Sequence, residues 1–407
     1  MLIALALASL VTMQDTTQAG ALRVFLDCPG GGCDVEYVRT EVRFVNWVRE
    51  RGVADVHALV TLRESGGGSE FTLTFIGLRA FAGMTDTLYY NTSSTDTEDE
   101  QRSGMVQMLR LGLVRFAART PPGRRLRIAS AEGDESAPAR QGRDPWNYWV
   151  FELSLSANAS GEQSTRDWGL DAEIDASRVT EQWKWSFDLE AGKSQSRFEL
   201  DDTTTFTSER TAWSFEGLMV RSIGKHWSIG ALSELNHESF RNLALRWRAA
   251  PAIEFNVFPY RESTRRILTL QYAAGIEVAR YQDTTIYDRT HETHPVHNLE
   301  AALEVKQPWG SANASVNFFQ YLHDPARVNL GLFAEANIRI VRGLSVNFYG
   351  GYEMVRDQLY LAKGGDDPLE IIARQRALAT NYSYYSGFGL SYTFGSIFNN
   401  IVNPRMN

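Results

Sequence analysis

Gly387-Phe-Gly-Leu-Ser-Tyr-Thr-Phe394 alternates without a break. Phe388, Leu390, Tyr392 and Phe394 fall on one face, and Gly387, Gly389, Ser391 and Thr393 fall on the other. A period of two identifies a β-strand, because successive side chains point to opposite sides of the backbone. Working back from this stretch, about twelve alternating segments start near Trp149, Asp167, Gln182, Ala212, His226, Asn242, Arg266, His297, Gly310, Arg327, Leu344 and Tyr382. So many long antiparallel strands in succession must close on themselves or leave an edge exposed. Long strands with apolar residues outward and polar residues inward are what a transmembrane β-barrel requires.

The two faces separate strand by strand. In the tenth segment Val328, Leu330, Leu332, Ala334, Ala336, Ile338 and Ile340 take one side, opposite Asn329, Gly331, Phe333, Glu335, Asn337 and Arg339. In the sixth, Leu243, Leu245, Trp247, Ile253, Phe255 and Val257 stand opposite Arg246, Arg248, Glu254 and Asn256. An Arg or Lys facing lipid at the bilayer midplane costs about 2–4 kcal/mol, so strand charges are expected on the lumen side. Candidate lumen charges are Arg246, Arg248, Glu254, Glu277, Glu304, Glu335 and Arg339, with Asp171, Glu173, Asp175, Asp188, Glu234 and Glu300 also inward. Two readings stay open for them: a cation-favouring pore, or an interior filled by salt-bridged side chains. The even-numbered connections read as short turns (177–181, 222–225, 259–265, 307–309, 342–343). The odd-numbered ones read as mostly longer, among them 192–210, 281–296 and 357–381. Short turns on the periplasmic side and longer outer loops follow if both ends of the barrel are periplasmic.

The chain before the barrel has a different rhythm. Residues 1–21 combine a short apolar run, Leu2 to Val11, with small residues near Ala19 and Ala21, as a signal peptide does. Residues 22–131 read as a small α/β domain. It has a strand at 22–27, a helix at 35–51 and a hairpin of 54–63 with 70–81 turning at Gly66 to Gly68. A second helix begins among the acids at 95–100, with Met105, Met108, Leu109, Leu113 and Phe116 on its apolar face. Another strand is expected at 125–129. A polar linker follows at 132–145, then the barrel at 146–396 and a periplasmic tail at 397–407. No run past the N-terminus is long and apolar enough for a transmembrane helix. The net charge of −8 argues against a nucleic-acid partner.

Several segments resemble an outer-membrane β-barrel family of Gram-negative bacteria whose function is not established. They include Val24-Phe-Leu-Asp-Cys28, Phe44-Val-Asn-Trp-Val-Arg49, Asp144-Pro-Trp-Asn-Tyr-Trp-Val150, Lys306-Gln-Pro-Trp-Gly-Ser311 and Ser391-Tyr-Thr-Phe-Gly-Ser396. The resemblance implies a small periplasmic α/β domain joined to an outer-membrane barrel, and it carries over no catalytic motif. Gly389, Tyr392 and Phe394 fit a barrel-assembly signal, although Gly387 sits where a polar residue is usual. The implied partners are outer-membrane lipid, the barrel-assembly machinery and a periplasmic component.

The sequence offers few residues for chemistry. Cys28 and Cys33 bracket Pro-Gly-Gly-Gly and form a candidate disulfide in an oxidising compartment. Free thiols and a redox or metal role are the alternatives. His226-Trp-Ser228 and His237-Glu-Ser239 have the spacing of a lipid hydrolase that activates Ser with His. His237 is the better placed of the two. His291, His294 and His297 share an expected outer loop with Asp283 and Asp288, where metal ligation is chemically possible and a solvated loop is the plainer reading. In the last outer loop, Asp367-Pro368 and Glu370 predict a short helix able to fold into the mouth as a plug or to stand up as a binding surface. No cofactor is implied. The leading reading is a passive channel or envelope scaffold in the outer membrane. An outer-leaflet hydrolase and a soluble secreted β-protein are the alternatives.

Overall fold

The computed structural model describes residues 19–29, 32–65, 68–93, 95–127, 144–199, 205–239, 241–341, 343–363, 381–398 and 400. The expected signal peptide, most of the linker and the predicted helix at 367–379 lie outside the described residues. Two compact units form. Met1–Leu62, Glu70–Asp134 and Tyr392–Asn407 belong to the first, and Arg63–Ser69 and Glu135–Ser391 to the second.

The first unit carries a five-stranded sheet. Its strands are β1 (Arg23–Asp27), β2 (Asn46–Trp47), β3 (Val56–Ser65), β4 (Gly68–Gly77) and β5 (Thr85–Ser93), in the order β2-β1-β3-β4-β5. β1 runs parallel to both β2 and β3. The helices α1 (Val35–Glu41) and α2 (Glu98–Ala117) supply the rest of the core. Val24, Val56, Leu73 and Phe75 of the sheet pack with Val38 of α1 and Met105, Leu109, Leu113 and Phe116 of α2. A capping box starts α2. The Thr97 hydroxyl accepts the Glu100 N–H, and the Glu100 carboxylate accepts the Thr97 N–H at 2.8 Å. Gly112 lies flat against the Phe75 ring, where a Cβ would meet the ring at 2.1 Å.

Two expectations for this unit need correction, and one strand is additional. The helix expected over 35–51 stops at Glu41. Asn46–Trp47 instead joins β1 as a parallel edge strand, so Val45 reaches its core from the bend before that strand and Val48 from the bridge after it. Valines three residues apart can be buried from a helix or from a turn into a strand, and β-branching favours the latter. The strand expected over 125–129 is absent from its described residues, with a 3-10 turn at Pro122–Arg125. β5 was not anticipated; its Thr and Tyr content fits a strand. Cys28 and Cys33 are bonded, with their Sγ atoms 2.04 Å apart.

The second unit is a twelve-stranded antiparallel meander. Its first six strands are β6 (Trp149–Gly161), β7 (Thr165–Val179), β8 (Trp183–Glu199), β9 (Thr205–Ser222), β10 (Trp227–Glu238) and β11 (Leu243–Asn256). The rest are β12 (Arg266–Tyr281), β13 (His291–Gln307), β14 (Gly310–Tyr321), β15 (Val328–Val341), β16 (Leu344–Val355) and β17 (Tyr382–Tyr392). Side chains from β8 through β15 line a single cavity of about 500 Å³. Eight flat strands about 4.8 Å apart would span more than 30 Å, so the sheet must be tightly curled to share so small a space. This is the wall of a β-barrel.

Every connection except 356–381 is brief, whichever end it lies on. The stretches 192–199 and 205–211, expected within a long loop, continue β8 and β9 as a paired ribbon. Ser, Thr and charged residues on both faces of that ribbon erase the alternation that marks a half-buried strand. His291, His294 and His297 likewise sit on β13 rather than in a loop.

Candidate functional site: the inner face of the curled sheet

The register sorts the side chains cleanly. Across β6 and β7, Phe151 faces Ala176, Leu153 faces Ile174 and Leu155 faces Ala172, while Glu152 faces Asp175, Ser154 faces Glu173 and Ser156 faces Asp171. The apolar set is exposed. Leu153, Leu170, Leu189, Ile253, Leu270, Leu299, Leu332, Phe348 and Leu390 all stand on the outer side, with Leu270 44% exposed. Soluble monomers rarely leave contiguous apolar area of this extent in water. On β7 the outer side runs Trp168, Leu170, Ala172, Ile174, Ala176, Arg178. Ten residues at ~3.3 Å, tilted by ~40°, rise about 25 Å, the height of an apolar membrane band. Rings gather at the end carrying the turns 180–182 and 223–226. Trp149 stacks on Phe151 and Phe187, Trp183 lies beside Trp185, and Trp227 beside Phe255. Such rings suit a membrane–water boundary.

One transverse row of the inner face is decisive. Glu152, Asp175, Asp188, Glu216 and Glu234 are register partners in turn across β6 to β10. Glu173 and Glu190 face each other in the next row. Among the described residues, Glu152, Glu173, Asp175, Asp188, Glu190 and Glu216 form no ion pair within 4 Å. Like charges on opposed strand positions repel, so the row is unfavourable to folding unless cations or water occupy the lumen. A cavity of about 560 Å³ lies against it, lined also by Ser154, Asp171, Lys193, Arg210 and Asn236.

The row continues onto β11 and β12 and changes character there. Glu234 faces Arg248, and Arg248 faces Glu277. Arg248 donates Nη2 and Nε to Glu277 Oε2 at 2.6 and 3.1 Å, and its guanidinium lies 4.4 Å over the Phe319 ring. The Tyr321 hydroxyl donates to Glu277 Oε1 at 2.6 Å, so a carboxylate only 3% exposed is satisfied on both oxygens. Arg246 donates to Glu234 at 2.5 Å and to Asn236 at 3.1 Å. Glu254 accepts the Tyr260 hydroxyl, Glu304 pairs with Lys306, and Arg339 donates to the Pro308 carbonyl. Glu335 faces Asn313 and Tyr349.

Residues 356–363 cover this side. Leu359 packs on Val296, Phe319 and Tyr321, and Tyr360 packs on Leu243, Ala279 and Tyr281. Asn242 donates its side-chain amide to the Tyr360 and Asp283 carbonyls, both at 3.0 Å. Asn242 takes φ +58°, a left-handed value that Asn tolerates better than most residues. Ile286 N–H donates to the Leu361 carbonyl, Thr285 pairs with Ala362, and Lys363 pairs with Asp288. The segment is therefore held by two neighbouring connections at the same end of the sheet.

The expected chemical motifs come apart in the structure. His237 bonds the Ala244 carbonyl through Nδ1 and stacks on Trp213, while the Ser239 hydroxyl accepts the Thr211 N–H. His226 bonds the Asn256 carbonyl, and Ser228 bonds Tyr260. His294 faces inward and stacks on His323 at 3.8 Å. His297 sits between Tyr272 and Phe318 on the opposite face. A three-residue step along a strand reverses direction, so these histidines do not converge. Among the described residues no group of three or more His, Cys, Asp or Glu is arranged to hold a metal ion. Sequence reading missed Glu152, Glu190 and Glu216; the phase of Leu153, Leu189 and Phe215 beside them carried the signal.

No known family profile matches the chain, and no curated protein does. Solved structures similar to it include the NanC porin, at 8% identity and a TM-score of 0.29, covering 60% of this chain and 99% of that one. The translocator domain of the autotransporter NalP from Neisseria meningitidis aligns at 11% identity and a TM-score of 0.20, covering 60% and 82%. Likenesses this faint carry no argument, so the barrel rests on the strands, register and exposed apolar face of this chain.

Proposed function

We propose that this chain is an outer-membrane β-barrel protein that passes small cations through its lumen, with the outer mouth narrowed by residues 356–363. The exposed apolar face and its flanking rings support the membrane setting. The observation that carries the permeation reading is the row Glu152, Asp175, Asp188, Glu216 and Glu234, which meets no basic partner until Arg248 and Arg246. Rings of carboxylates favour cations by field alone. The purified protein in a planar bilayer under a salt gradient should give a cation-selective reversal potential. The double variant Asp188→Asn, Glu216→Gln should move that potential toward zero; conductance without cation preference would sink the reading.

A second reading has its own support in the packed side of the lumen, where Arg248, Glu277, Tyr321 and Leu359 fill the space. On that reading the barrel is an envelope scaffold and the N-terminal domain docks a periplasmic partner. It requires no conductance, and a partner recovered only when residues 22–131 are present. The bonds made by His237 and Ser239 give no support to lipid hydrolysis, and Ser239→Ala is expected to leave lipid turnover at background.

A further inference from the structure

The N-terminal sheet ends at β2, and an edge strand offers every second backbone group to whatever lies beside it. On β2 the inward groups are used by β1: Asn46 N–H donates to the Leu22 carbonyl and Val48 N–H to the Val24 carbonyl. The outward groups belong to a segment that follows β17. Arg49 N–H donates to the Ile397 carbonyl at 2.9 Å, and Val48 and Phe398 form an antiparallel bridge. Trp47 N–H donates to the Asn400 side-chain oxygen at 2.6 Å, so an amide side chain takes the place of a ladder carbonyl. The Asn400 Nδ2 then donates to Asn46 Oδ1 at 3.1 Å. The Phe398 ring packs on the small cluster of Phe25, Val48 and Ala54, rimmed by Val53 and Leu78.

We infer that the β2 edge is a strand-addition peptide site with a phenylalanine pocket and an asparagine clamp, occupied in the resting protein by Ile397, Phe398 and Asn400 of the same chain. Main-chain pairing gives such a site its grip, and the side-chain pockets give it selectivity. Here selectivity is set by an aromatic residue followed two positions later by Asn. Among the described residues the segment is held by one ladder bond, a 3.4 Å bond from Arg49 Nε to the Phe398 carbonyl, one amide clamp and one ring. Attachments this slight belong to the low-stability end of a fold, so the occupant can exchange with a free peptide of the same pattern.

The test uses the full chain in detergent and a labelled peptide of residues 393–400. A variant ending at Gly395, and full-length Phe398→Ala, should each bind the peptide saturably. The unaltered protein should bind it about tenfold more weakly, because its site is filled. Peptides carrying Phe398→Ala or Asn400→Ala should lose binding. Full-length Val48→Cys, Phe398→Cys should cross-link on oxidation and then exclude the peptide. The inference is overturned if the shortened and Phe398→Ala proteins both fail to bind, if the unaltered protein binds equally well, or if the paired cysteines do not cross-link.

Discussion

Leu113 and Leu270 have the same side chain and opposite surroundings. Leu113 is wholly buried beneath the N-terminal sheet, whereas Leu270 stands 44% exposed on the outer wall of the meander. The small domain is organised around an apolar centre and a polar skin; the curled sheet is organised the other way round. In one unit water drives the leucines together, and in the other a bilayer must receive them. The charges invert with them. Asp99 and Arg102 pair on the surface of α2, while Arg248 and Glu277 pair on the inner face of the sheet.

The sharpest way to break this contrast is to remove one member of an inner pair. Arg248→Ala strands the Glu277 carboxylate and should destabilise the barrel by about 3–5 kcal/mol, read as a lower unfolding midpoint in detergent. If the midpoint does not move, Glu277 is better hydrated than its 3% exposure implies. Next come the two leucines. Leu113→Ala should cost the N-terminal domain about 2–5 kcal/mol in aqueous solution. Leu270→Arg should cost about 2–4 kcal/mol, and only when the protein folds into a bilayer. Equal penalties with and without lipid would erase the distinction between the two units. A smaller effect is expected from Asp188→Asn, since relieving a like-charge cross-strand contact contributes about 0.2–1 kcal/mol of added stability. Urea unfolding of the variant against the parent measures it, and a loss of stability would mean that Asp188 holds a cation or a neighbour in place.

The smallest prediction concerns the α2 cap. The Thr97 N–H and hydroxyl hold the Glu100 carboxyl below its ordinary range. A carboxyl lowered on folding contributes stability above its unfolded value near 4.3, and that contribution fades as pH falls through the folded value. Glu100→Gln, which removes the titrating carboxyl itself, should flatten the stability profile of the domain across that acid limb and leave it parallel to the parent at neutral pH. Unchanged steepness on the acid side would show that the cap does not hold the proton off.

What the sequence announced follows from the same inversion. Alternation such as Phe388, Leu390, Tyr392 is readable because one face meets lipid and the other water, so strand count and lumen charges could be assigned residue by residue. Where both faces meet water, as in the ribbon at 192–199 and 205–211, the rhythm vanishes and the sequence reads as a loop. The N-terminal domain was harder, because Val38, Val42, Val45 and Val48 are compatible with a helix or with a turn between helix and strand. Long-range register decided it, through Asn46 beside Arg23. The acidic row was legible only in pieces. The sequence places Asp175, Asp188 and Glu234 inward from their own strands but not Glu152 or Glu216, and adjacency between strands depends on registers that no single segment encodes. The path of 356–363 was equally hidden, since Leu359 and Tyr360 find their partners on strands distant in sequence.

The register row has a geometric consequence. Strands in a barrel lean ~35–45° from its axis, so a line drawn at right angles to them climbs as it goes round. Across the four steps from Glu152 to Glu234, at ~4.8 Å each, that climb is about 12 Å. The carboxylates thus form a winding staircase rather than a collar. An ion descending the lumen would be passed from one step to the next at successive depths, never held by all five at once.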